Sequence, residues 1–137
     1  MFELQVPGEK GPAAIFPVSH DEVVCEHYHA DPLVYHGCMR TRFTYEIFQA
    51  MARATAQGEA FNIPYLCLHG SEDRMCLPSG SEEWHAKTCS ADKAHMVIDG
   101  AYHELHNEVP EYRAQWIEAV TAWIDKHKTP PSLPSIM

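Results

Sequence analysis

Asp73 and His103 each follow a short apolar run, and together they could form the orienting half of a nucleophilic site. Asp73 lies in LHGSEDRMC, and His103 lies in IDGAYHELHNE. An aspartate can fix the tautomer of a histidine, which then moves a proton to and from a nucleophile. The spacing leaves a second interpretation open, in which both are ordinary surface side chains, the usual place of these residue types.

Two strands are predicted to position this pair. The first covers residues 63–69, where Leu66, Cys67 and Leu68 are apolar on both faces, as in a parallel strand that is covered on both sides. The second is the run HMVID at residues 95–99. Catalytic groups of open α/β sheets collect at the carboxyl ends of the strands. Neighbouring parallel strands would therefore bring both loops to one edge.

Helices are predicted over residues 41–57, over residues 81–89 and from Pro110 to about Lys128. Apolar residues recur at helical spacing in these segments, or residues typical of helix ends stand at their boundaries. The last helix carries a broad apolar face that we interpret as core: Tyr112, Trp116, Ile117, Val120, Trp123 and Ile124. Alternation of helices and strands predicts an α/β fold with two parallel strands and flanking helices. Because so small a sheet is marginal, we expect it to be incomplete.

Composition excludes several classes of function. A net charge of −9 argues against nucleic-acid binding, which needs a basic surface. The five cysteines form no C-x-x-C pair, which favours reduced thiols inside a cell. No apolar run approaches the roughly 18 residues of a membrane span. We therefore expect a cytoplasmic protein.

The two loop motifs, read together, resemble the carboxyl-terminal part of the monoacylglycerol lipase group of α/β-hydrolases, also described as serine aminopeptidase S33-like. The segment YHADPLVYHG at residues 28–37 resembles the exit from that family's cap. The resemblance extends over about residues 18–127. It implies that residues 18–128 form the carboxyl-terminal part of an α/β-hydrolase domain and that residues 1–17 are an irregular remnant of the cap. Residues 129–137, which contain three prolines, are expected to form a disordered tail.

The resemblance assigns the catalytic acid to Asp73, with Glu72 as its rival, and the catalytic base to His103. The acid precedes the histidine, as in this fold's triads. The family's nucleophile motif G-x-S-x-G does not occur in the sequence, and Ser71 lies in the acid loop. We therefore expect a fragment of a serine hydrolase of acylglycerols or related carboxylic esters that is inactive by itself. The alternative is a truncated, non-catalytic paralogue that acts as a binding or regulatory partner.

The expected partners follow from the same resemblance. They are a lipid ester, provided that the missing amino-terminal half is supplied, a membrane surface in peripheral contact, and a second copy of the chain at the open sheet edge. No cofactor and no metal are expected. Two metal hypotheses stay open: Cys25, His27 and His29 alternating on a strand, and HELH at 103–106, which is one residue shorter than H-E-x-x-H.

Overall fold

The computed structural model describes residues 17–35, 37 and 39–128. Its helices and strands follow in the order α1 (Glu22–Ala30), α2 (Thr41–Ala56), β1 (Tyr65–Gly70), α3 (Pro78–Lys87), β2 (Lys93–Ile98) and α4 (Pro110–His127), with short 3₁₀ turns at Gly58–Ala60 and Leu105–Asn107. The predicted tail and almost all of the predicted cap remnant lie outside the described residues.

The two strands form a parallel pair, as predicted. Tyr65 lies opposite Lys93 at one end of the pair, and Gly70 lies opposite Ile98 at the other. Both predicted strands are displaced by one or two residues at their ends, which is the part of a strand that sequence patterns define least well. Each strand ends in one of the two loops that carry the candidate site.

The two faces of this sheet differ in polarity. One face lies under α3, where His95 contacts Ser81 and Tyr65 contacts His85 through side-chain hydrogen bonds. The alternate residues of the strands, such as Leu68 and Met96, pack on the opposite face with residues from α4. Side chains alternate between the faces of a strand, so a single run of six residues supplies both surfaces.

The buried core lies at the carboxyl ends of the strands. Ile98, Ala101 and Leu105 form it, and Tyr112 and Trp116 of α4 are among the partly buried residues packed against it. Gly100, with a φ of 81°, turns the chain between β2 and this core. Glycine adopts this left-handed conformation without strain because it has no Cβ atom. The loop after β2 thus contributes to the buried core.

The apolar face of α4 is only partly covered, so its interpretation as core was wrong for several residues. Ile117 and Ile124 are 50% and 53% exposed, and no residue of α4 is buried. Trp116, Val120 and Trp123 line a cavity of about 360 Å³ together with Leu66 and Leu68 of β1. The periodicity predicted the helix correctly, but a two-stranded sheet is too narrow to cover so wide a stripe.

Helix α2 confirms the prediction for residues 41–57, yet none of its residues is buried and Phe43 is exposed. Helix α3 begins earlier than predicted. Pro78 stands in its first turn, where a proline costs no hydrogen bond, and the prediction from Ser81 missed this signal.

Helix α1 was not predicted, because the four prolines and two glycines among residues 1–32 indicated an irregular segment; that interpretation was wrong for Glu22–Ala30. Asp21 caps it by accepting a hydrogen bond from the Val23 N–H at 3.0 Å, and the segment after Asp21 is free of proline and glycine up to Pro32. The supposed strand with alternating Cys25, His27 and His29 is therefore helical. Among the described residues, no group of three or more potential ligands could hold a metal ion. No helix of the described segments is long and apolar enough to cross a membrane.

Candidate active site

Asp73 and His103 meet at the carboxyl edge of the sheet. The Oδ2 atom of Asp73 accepts a hydrogen bond from Nδ1 of His103 at 2.7 Å. The carboxylate is buried, with 5% of the residue exposed, whereas about a third of the His103 side chain is open to solvent. No hydrogen bond joins Nε2 of His103 to any residue that the structure describes. This geometry leaves Nε2 available for proton transfer to a reacting group.

The acid is anchored on both oxygens. Its Oδ1 atom accepts hydrogen bonds from the backbone N–H groups of Met75 and Cys76 at 2.8 and 3.0 Å. Its Oδ2 atom lies 3.1 Å from Nε2 of His69, which is also 2.7 Å from the Cys76 carbonyl oxygen. With its proton on Nε2, His69 donates to the Cys76 carbonyl, and its ring lies within ion-pair distance of the carboxylate. Three hydrogen bonds and this contact hold the carboxylate facing His103.

His69 was missed by the sequence interpretation. It is the penultimate residue of β1 and lies four positions before Asp73, so the turn of the loop returns the carboxylate to the end of its own strand. The available signal was the polar residue at the end of an otherwise apolar strand. The contact itself depends on the conformation of the loop.

Asp73 and His103, which we call the dyad, have pKa values that are shifted in opposite directions. Burial by itself would raise the pKa of Asp73, but hydrogen bonds from His103, His69 and the Cys76 N–H outweigh it and hold this pKa well below its usual range. The hydrogen bond to Asp73 raises the pKa of His103, against the opposing effect of burial. The separate contact between His69 and Asp73 raises the pKa of His69, again against the opposing effect of burial. Asp73 is therefore ionised throughout the neutral range.

Two further residues of the acid loop were candidates, and the structure separates them from the dyad. The Ser71 hydroxyl donates to Oδ1 of Asp99 at 3.1 Å and accepts from the Gly100 N–H at 2.7 Å. Ser71 thus bridges the two loops. Glu72, the rival acid, is exposed, and its backbone N–H donates to the Ala101 carbonyl at 3.0 Å.

Cys76 is not prepared for thiolate chemistry. Burial raises the pKa of its thiol, and the negative charge of Asp73 raises it further.

The buried Ser81 hydroxyl anchors α3 to β2. It donates a hydrogen bond to the Pro78 carbonyl at 2.8 Å, and its oxygen lies 2.9 Å from Nε2 of His95.

The opposite pKa shifts predict a stability maximum on the acid side of neutrality. The depressed pKa of Asp73 contributes stability above its unfolded pKa of about 3.9, and this is lost as the pH falls toward the folded value. The raised pKa of His103 and His69 contributes stability below their unfolded pKa of about 6.5, and this is lost as the pH rises through the folded value. We expect the free energy of unfolding to be highest between about pH 4.5 and 6.5.

Urea unfolding at a series of pH values measures this profile. Asp73→Asn should flatten both limbs, because it removes the partner of both histidines, whereas Glu118→Gln on the exposed side of α4 should leave the profile unchanged. A maximum above pH 8 in the unsubstituted protein would contradict the assignment.

An acid followed by a histidine, each at the end of one of two parallel strands with helices around them, is the arrangement found in α/β-hydrolases. The solved structure of a Paleococcus ferrophilus monoacylglycerol lipase superposes with a TM-score of 0.74 at 29% identity, over 81% of this chain and 42% of that one. The family model described as serine aminopeptidase, S33, matches residues 3–110. The chain belongs to that family of α/β-hydrolases. This match begins upstream of residues 18–127, the range over which the motifs resemble the family, and it ends at Pro110, the first residue of α4.

Curated relatives are similar over the same region. The chain is 31% identical to the monoglyceride lipase of Rattus norvegicus over 71% of this chain and 32% of that protein. It is 33% identical to the monoacylglycerol lipase of Mycolicibacterium smegmatis over 80% of this chain and 39% of that protein. The chain thus spans between about a third and two fifths of the length of these relatives.

Proposed function

We propose that this chain supplies the acid and the base of a serine hydrolase that acts on acylglycerols or related carboxylic esters. The observation that carries the proposal is the 2.7 Å bond between Nδ1 of His103 and Oδ2 of Asp73 at the edge of the sheet. Membership of the S33 family and the names of the relatives support the class of reaction.

The geometry fits the general-base step of such an enzyme. Asp73 holds the proton of His103 on Nδ1, so that Nε2 can accept the proton of a serine hydroxyl as its oxygen attacks the ester carbonyl. The imidazolium that forms is stabilised by the ionised carboxylate. It then gives its proton to the leaving alcohol, and a water molecule repeats the two steps to release the acid.

The serine and the oxyanion donors are proposed to come from polypeptide of the family's amino-terminal part, because the sequence contains no G-x-S-x-G. Among the described residues, β1 pairs with β2 only, and its other edge is unpaired. The apolar cavity lined by Leu66, Leu68 and Trp116 lies beside this strand. An added strand could complete its hydrogen bonds and cover this cavity, and the same edge could instead pair two copies of the chain.

The test is a chimera that joins residues 1–137 to the amino-terminal part of the M. smegmatis relative, up to the start of its match with this chain. We expect the chimera to hydrolyse a monoacylglycerol and to label with a fluorophosphonate, and His103→Ala to abolish both. Residues 1–137 by themselves should do neither. Turnover by 1–137 that disappears on His103→Ala would contradict the proposed origin of the nucleophile.

The exposed apolar residues favour the non-catalytic alternative as a second candidate. Examples of apolar residues that are at least half exposed are Phe43 (56%) and Tyr45 (61%) of α2 and Ile117 (50%) of α4. Apolar side chains that are left uncovered in this way are available for contacts with another protein or with a lipid surface. A chimera that folds and presents its serine but gains no activity from Asp73 and His103 would favour this candidate.

A further inference from the structure

Glu108 is a fully buried carboxylate outside the dyad. None of its surface is exposed. Its Oε1 atom accepts the backbone N–H of Tyr102 at 2.7 Å, and its Oε2 atom accepts the backbone N–H groups of His20 and Val109 at 3.0 and 3.2 Å. Burial would raise the pKa of Glu108, but these bonds outweigh it and lower the pKa. A buried charge is retained only where its hydrogen bonds are complete, as they are here.

His20 joins Glu108 to the loop that carries His103. Its Nδ1 atom lies 3.0 Å from Oε1 and 3.2 Å from Oε2 of Glu108. Its ring stacks on Tyr102, with 3.7 Å between the ring centroids and 22° between the planes. The backbone and the side chain of Tyr102, the residue before His103, are therefore both held by this pair.

The residue after His103 is held from the same side. The backbone N–H of Glu104 donates to the Val18 carbonyl at 2.8 Å. The Ser19 hydroxyl donates to the Asn107 carbonyl at 2.8 Å, and both Val18 and Ser19 are buried. Residues 17–20, which we call the clamp segment, thus contact the histidine loop at several points.

These contacts fix the backbone on both sides of His103 without touching its ring. An apolar side chain at position 108 could fill the same space, but it could not accept the N–H of Tyr102. We infer that Glu108 and the clamp segment are a positioning device that holds the His103 ring against Asp73. The effect on catalysis rests on the proposed function. The position of the His103 ring is a property of this chain by itself.

The proton on Nδ1 of His103 reports this geometry directly. In residues 1–137, its NMR resonance should lie at low field and exchange slowly with water, and Asp73→Asn should remove it and so assign it. We expect Glu108→Gln to speed its exchange by at least about tenfold or to abolish the signal. Thr88→Val, which removes a buried hydroxyl hydrogen-bonded to Tyr65 under α3, is the matched control and should leave the signal unchanged.

Glu108→Gln with an unchanged resonance would overturn the inference. Should that variant fail to fold, His20→Ala decides the question, because it removes the ring stacked on Tyr102 and leaves the backbone bonds of Glu108 in place. Faster exchange in His20→Ala supports the inference, and unchanged exchange refutes it. In the chimera, either substitution should lower kcat/KM by about 10–100-fold, the scale expected for a small displacement of a catalytic group. The NMR result stands whether or not the chimera hydrolyses esters.

Discussion

Asp73→Asn is expected to lower kcat of the chimera by about 10⁴-fold while leaving it folded, the magnitude typical of this change in Ser–His–Asp triads. The backbone N–H groups of Met75 and Cys76 donate to Oδ1, so the amide oxygen of asparagine would occupy that position. Its NH₂ group would then face Nδ1 of His103 and donate to it. The proton of His103 would be forced onto Nε2, which could no longer accept the proton of a serine.

Steady-state hydrolysis of a monoacylglycerol, with circular dichroism to confirm the fold, measures this effect. Glu72→Gln is the matched control, because it neutralises the adjacent, exposed carboxylate that makes no contact with His103; its kcat should stay within about twofold of the parent value. If Glu72→Gln caused the larger loss, Glu72 would be the acid and the present assignment would be wrong.

Gly70→Ala is expected to destabilise the protein by about 2–4 kcal/mol, at or above the upper end of the usual cost of overpacking. A Cβ atom at this position would lie 2.2 Å from the Tyr102 carbonyl oxygen and 2.3 Å from that of Ala101. Both obstacles are backbone atoms, so the loops after β1 and β2 would have to separate. That separation would also lengthen the bond between Asp73 and His103.

Urea unfolding measures the change in stability, and the Nδ1 resonance of His103 measures the change in the dyad. Gly58→Ala is the control, because its Cβ would meet the flexible Lys87 side chain at 3.0 Å and Trp84 at 3.2 Å; it should cost less than about 1 kcal/mol. Equal stability of the two variants, with the resonance intact in Gly70→Ala, would show that the close approach of the loops is unimportant.

The pairing of Asp73 with His103 could be anticipated from two local signals together with the family resemblance, because the signals by themselves left a second interpretation open. Each residue follows a short apolar run, and parallel strands end at a common edge. The cap of α1 at Asp21 and the proline that opens α3 were also readable from local sequence. Because these two signals were not used, α1 was not predicted and α3 was predicted to begin too late in the chain.

The remaining features depend on contacts between distant parts of the chain. His20 and Glu108 are separated by 88 residues, and no periodicity links them. The apolar stripe of α4 has the spacing of a core helix, but its burial depends on how many strands lie beneath it. Ile117 is consequently exposed although its spacing is that of a buried residue.

The position of the core beneath the site has a consequence for how this protein tolerates mutation. Ile98, Ala101 and Leu105 support the loop that carries His103, so a substitution among them affects folding and the dyad together. The outward surfaces of α2 and α4 support neither. Sequence drift can therefore accumulate on these helices at little cost, whereas substitutions at the buried positions between Ile98 and Glu108 would disturb the fold and the dyad together.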